Sequence, residues 1–100
     1  MRYALFLAAF LVSALSAQAE EVVIKSFAFG PQAVTVKAGT KVTWVNKDVE
    51  PHTVVSSERT FQSEALDTGD TFSVTFDKVG TYGYFCSIHP HMTGTVTVTP

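Results

Sequence analysis

The sequence has a single cysteine, Cys86, so no disulfide can join two parts of the chain. That excludes the stapling on which many small exported domains depend. The chain has only three histidines, two methionines and seven basic residues among 100. Lys37, Lys41, Lys47 and Lys78 are scattered and read as solvated surface. With no basic patch, nucleic acid is not an expected partner. After residue 19 no run carries helical periodicity over three turns, and neither an internal repeat nor a second domain is visible. No tract has the composition of a disordered segment, and apolar content is ordinary for a globular domain.

The one long apolar run stands at the start. "MRYALFLAAFLVSALSAQA" carries one basic residue, Arg2, then an uninterrupted apolar stretch, then small residues around Gln18. This is the pattern of a secretory signal, with cleavage expected after Ala19. Its strongly apolar part, residues 3–15, is short for a membrane span; a retained anchor is the alternative reading. A helix is expected there, outside the fold proper. The expected organisation is a signal peptide at 1–19 and one domain at 20–100. Loss of Arg2 with the leader leaves six basic against nine acidic residues, a formal charge of −3. The remaining 81 residues make one small domain, which buries only somewhat over ~60% of its unfolded surface, so an added staple would help.

What the domain has in abundance is short β-branched and aromatic runs separated by turn signals. "EVVIKSFAF" ends at Gly30-Pro31, "AVTVK" at Ala38-Gly39, and "TKVTWVN" in the polar stretch "KDVE". "HTVVS", "TFSVTF", "TYGYFC" and "GTVTVTP" follow. Period-two alternation is clear in "TFSVTF" and "TVTVT", as in half-buried strands. The spacing predicts an all-β Greek-key sandwich or barrel of about seven strands. Residues 57–70 form the one long connection, with room for a helical turn or an irregular loop.

Chemistry concentrates in "YFCSIHPHMTG", residues 84–94. Each residue alone has a plain reading: Cys86 as a small buried hydrophobe, Met92 as core filler, His52 as a surface or hydrogen-bond-satisfied histidine, and His91 as an exposed one. Together they suggest more. Cys86 ends a strand, His89 follows after two residues, and Met92 after two more. Pro90 stiffens the turn and Gly94 allows re-entry into the last strand. One thiolate, one imidazole and one thioether from a tight loop need a further donor for a first-row metal. His52, at the start of a strand that can end at the same pole, supplies it. Two imidazoles and a thiolate with a weak axial thioether is the donor set of a blue-copper electron-transfer site. Such a shell has no open position for substrate, which argues against catalysis at the metal.

The chain resembles the cupredoxins, the type 1 blue copper proteins. The residues that carry the resemblance are "VTWVNKDVEPH", 42–52, and "GTYGYFCSIHPHMTGTVTV", 80–98. The Cys-x2-His-x2-Met spacing is similar to the short amicyanin-like loops within the plastocyanin-like group; other loops of that group place more residues between histidine and methionine. The resemblance implies that His52, Cys86 and His89 are the strong ligands of one copper ion and Met92 the axial one. It implies that Asn46 ties the two ligand loops together and steadies the Cys86 sulfur, and that Tyr82 braces a Greek-key corner through its hydroxyl. Trp44 reads as a core aromatic. One position departs from amicyanin-like loops, which tend to carry an apolar residue between proline and methionine. Here it is His91, which is expected at the surface near the edge where a partner docks.

The expectation is therefore a periplasmic copper protein, not an enzyme. It would shuttle single electrons between redox proteins of dehydrogenase or cytochrome type, as a monomer with no membrane span after leader removal. A copper-binding protein for storage, delivery or resistance would use the same ligands. A zinc site or a purely structural sandwich is the other alternative.

Overall fold

The computed structural model describes residues 18–100; the predicted leader helix lies outside the described residues. Eight strands appear, one more than the turn signals suggested. They are β1 (Ala19–Lys25), β2 (Ala28–Gly30), β3 (Ala33–Lys37), β4 (Thr40–Asn46), β5 (Val55–Ser56), β6 (Thr71–Phe76), β7 (Gly80–Phe85) and β8 (Thr93–Thr99). The extra strand comes from "EVVIKSFAF", which is not one run. Ser26 and Phe27 both take left-handed backbone angles, φ 53° and 59°, and fold the stretch into a hairpin in which Lys25 pairs with Ala28. Left-handed backbone costs a non-glycine residue about 1–2 kcal/mol, so tertiary contacts must hold this turn.

The strands form two four-stranded sheets, β2-β1-β4-β6 and β3-β8-β7-β5. β1 runs parallel to β4 and β3 parallel to β8, while the other pairs are antiparallel. Alternation decides which face turns inward. Val34 and Val36 of β3 lie beside Val96 and Val98 of β8, and all four are buried. Val22 of β1 pairs with Trp44 of β4, and both are fully buried. Trp44 is the centre of an aromatic cluster, edge-on to Tyr84 at 5.2 Å with Phe61, Phe72 and Phe76 around it. The hydroxyl of Tyr82 donates to the Lys78 carbonyl at 2.6 Å and closes the corner before β7. Residues 57–70 contain no helix; they run back along the sheet edge through isolated bridges from Leu66 to His52 and from Gln62 to Val55.

Gly94, at the entry to β8, is required by close approach. A Cβ there would overlap the ring and hydroxyl of Tyr84, itself buried between Phe29 and Trp44. Tyr84 cannot retreat without opening the core. Gly94→Ala is expected to lower unfolding stability by about 1–3 kcal/mol, the usual cost of overpacking. An unchanged urea midpoint would show that Tyr84 has room to yield.

Candidate metal centre

Two chain segments meet at one end of the sandwich. The first is the loop after β4, from Asn46 to the bridge at His52. The second is the turn between β7 and β8, from Cys86 to Met92. His52, Cys86 and His89 each direct one donor atom inward, all within 4.8 Å of one another. Cys86 Sγ lies 3.7 Å from His52 Nδ1 and 3.8 Å from His89 Nδ1. His52 and Cys86 are fully buried, whereas His89 is partly exposed. Met92 is buried beside them. The turn is closed by two backbone bonds: Met92 N–H donates to the His89 carbonyl at 2.9 Å, and Cys86 N–H to the Met92 carbonyl at 3.1 Å. His91 is exposed and is not part of the cluster.

The donors fit a metal ion. Bonds of about 2.0–2.3 Å to nitrogen and sulfur at trigonal angles put sulfur and nitrogen about 3.7 Å apart, which matches both separations. The thiol is prepared for this. Burial pushes the Cys86 pKa up, but the Thr53 N–H and the two imidazoles outweigh it and bring it down to about 6 from 9.0. A thiol that ionises near neutrality binds metal with less competition from protons.

Two supporting contacts were not legible from the motifs. Asp48 Oδ2 accepts from His52 Nε2 at 3.0 Å, which commits that nitrogen and leaves Nδ1 for the site. A carboxylate behind an imidazole fixes its tautomer and orientation. The Phe27 N–H at 3.0 Å, together with His52, holds the Asp48 carboxyl below its usual range. The second contact is Thr53. Its N–H donates to Cys86 Sγ at 3.3 Å, and its hydroxyl bonds the Ser87 hydroxyl at 2.8 Å and accepts from Ser87 N–H at 2.7 Å. The available signals were an acidic residue four before His52 and a hydroxyl residue directly after each buried donor.

Asn46 is placed differently from what the resemblance implied. Its Nδ2 donates to the carbonyls of Glu50 and Leu66 at 2.9 and 2.8 Å, and its Oδ1 accepts from Asp48 N–H at 2.8 Å. It ends β4, so its short amide reaches its own loop and the returning segment at Leu66. It braces the His52 loop; Thr53 is the residue that joins the two loops and reaches the sulfur.

A two-sheet Greek-key sandwich with a buried Cys-His-His cluster and an adjacent methionine at one pole defines the blue copper class. Comparison with known proteins agrees. The cupredoxin-like domain family matches residues 1–98, and the chain belongs to that family. Amicyanin from Paracoccus versutus is 37% identical over 94 residues, covering 87% of this chain and 71% of that protein. Plastocyanin from Scenedesmus fuscus is 45% identical over 83 residues, covering 70% and 85%. The solved structure of a purple cupredoxin from Nitrosopumilus maritimus superposes with a TM-score of 0.75 at 33% identity, covering 79% of this chain and 98% of that one. The protein is a cupredoxin with a site for one copper ion and a role in electron transfer.

Proposed function

We propose that this protein carries single electrons between redox proteins in the periplasm, using one copper ion held by His52, Cys86 and His89 with Met92 as the weak axial donor. The observation that carries the reading is the triangle of Nδ1, Sγ and Nδ1 on buried His52, buried Cys86 and half-buried His89, already spaced for an ion while the thiol is tuned toward thiolate. Copper, when bound, supplies the one-electron couple. The chain's own residues do the rest. Asp48 orients His52, Thr53 orients the sulfur, and the Cys86–Met92 backbone bonds fix the turn. A frame held by these bonds changes little as the charge at its centre changes. Buried Cys86 and His52 offer no place for a substrate, so the protein acts by handing electrons on rather than as an enzyme. His89 is the donor nearest to solvent, and exposed Phe27, Ile88 and Val49 belong to the loops around it. A transient partner of dehydrogenase or cytochrome type would dock against this rim. The leader pattern at 1–19, cut after Ala19, supports export of a domain at 20–100.

The test is the visible and EPR spectrum of the Cu(II)-loaded protein, followed by the rate of electron self-exchange. An intense blue band with rapid exchange is expected. A colourless Cu(II) form overturns the ligand assignment. A blue form that surrenders copper readily to a chelator and exchanges electrons slowly marks a storage or delivery protein. Met92→Gln is expected to keep copper bound and lower the reduction potential, because an oxygen donor favours Cu(II) more than a thioether does. An unchanged potential by voltammetry would remove Met92 from the axial position.

A further inference from the structure

The two imidazoles at the metal centre are not held alike. His52 is fully buried, and its Nε2 is tied to Asp48. His89 is partly exposed, and among the described residues its only side-chain hydrogen-bonding contact is the one that faces Cys86. Two aromatic rings border that of His89. Phe27 stands 4.9 Å away at 83°, and His52 4.9 Å away at 55°. Phe27 also meets His52 at 5.5 Å and 86°, so the three rings form a closed triangle.

Phe27 reaches this place by a costly route. In one continuous strand Phe27 and Phe29 would share a face. The left-handed pair at Ser26 and Phe27 separates them. Phe29 goes into the core against Tyr84, while Phe27 is left at the pole, 49% exposed. Two-residue hairpins of this backbone shape favour Asn and Gly, and a phenylalanine there is disfavoured. The turn is nevertheless pinned, because the Phe27 N–H donates to the same Asp48 oxygen that receives His52 Nε2. An exposed ring in a strained turn adds little to the core, but its position is fixed relative to both imidazoles.

We propose that Phe27 is a positioning residue for the copper site: pinned through Asp48, its ring confines the His89 imidazole to the orientation that faces Cys86. The proposal rests on the ligand assignment above. His52 has a carboxylate to orient it; His89 has Phe27 in that role. The ring edge is a weaker restraint than a hydrogen bond, and its loss should show most in the reduced state, where Cu(I) tolerates fewer ligands.

The experiment compares wild type with Phe27→Ala and Phe27→Tyr. The His89 ring resonances are followed by NMR in the diamagnetic Cu(I) form, and Cu(I) release to a chelator is timed. Wild type should give one sharp set of His89 signals. Phe27→Ala should broaden or average them and speed Cu(I) release about tenfold, the order of one aromatic pair. Phe27→Tyr should restore both, and all three should remain folded, since the turn lies outside the core. Unchanged signals and release in Phe27→Ala overturn the proposal, as does a change that Phe27→Tyr fails to reverse. A wild-type His89 ring that does not shift on Cu(I) loading overturns the ligand assignment and this proposal with it. If His89 shifts but is indifferent to Phe27, this proposal fails and the ligand assignment stands.

Discussion

Cys86→Ser is expected to give a colourless protein that still folds. The intense blue band needs charge transfer from a thiolate, and Cys86 is the only sulfur of that kind in the chain. Serine is close in size, and the surrounding framework does not depend on the sulfur. Thr53 and Ser87 keep their mutual bonds, and Trp44, Tyr84 and the valines of β3 and β8 remain packed. The substitution should also change how stability responds to pH in the metal-free protein. The Cys86 pKa is lowered in the folded state, from 9.0 to about 6. Between those values the folded chain holds the thiolate while the unfolded chain holds the proton. Stability should therefore rise with pH from about 6 to about 9, and the gain should vanish as pH falls through 6. Cys86→Ser should flatten that slope. Chemical denaturation at several pH values checks it; a kept slope would assign the pH dependence to another group, and a serine variant that stays blue would move the site elsewhere.

His89→Ala should also abolish the blue site, whereas His91→Phe should leave it intact. Only Pro90 separates these histidines, yet the turn divides them. The Met92 N–H bonded to the His89 carbonyl closes a tight loop that turns His89 inward beside Cys86 and leaves His91 in solvent. Removing His89 takes away one of the two imidazoles facing the sulfur. Removing His91 alters only the rim, next to the shallow groove it lines with Phe27, Gln32 and Met92. An effect on partner association is the expected consequence there. Absorption spectra of both variants decide the matter. Colour lost in the His91 variant and kept in the His89 variant would reverse the assignment.

Much of the protein was legible without its structure because the signals were local. Period-two alternation in "TFSVTF" and "TVTVT" follows from the pleat, and the structure makes both segments strands. Rare sulfur and imidazole crowded into residues 86–92 showed where the chemistry lies, because a tight turn brings near neighbours in sequence together in space. The corner role of Tyr82 came from the resemblance, and its hydroxyl does close that corner on the Lys78 carbonyl. Where the local signal was ambiguous, the reading slipped. "EVVIKSFAF" looks like one strand because Ser26 is a lone, weak turn signal and phenylalanine is a poor turn residue.

The composition, the strand-forming runs and the Cys-x2-His-x2-Met spacing thus determined an all-β domain and the residues at its centre. The tertiary structure alone decided what supports them. Asp48 orients His52 only because the loop after β4 folds over it. Thr53 reaches the sulfur across 33 residues of chain, and Asn46 faces Leu66 rather than the Cys86 loop. Phe27 meets His89 only because a left-handed turn, held by a carboxylate 21 residues away, points it there. Such contacts join segments distant in sequence, and their direction is set by backbone angles that side-chain periodicity does not encode.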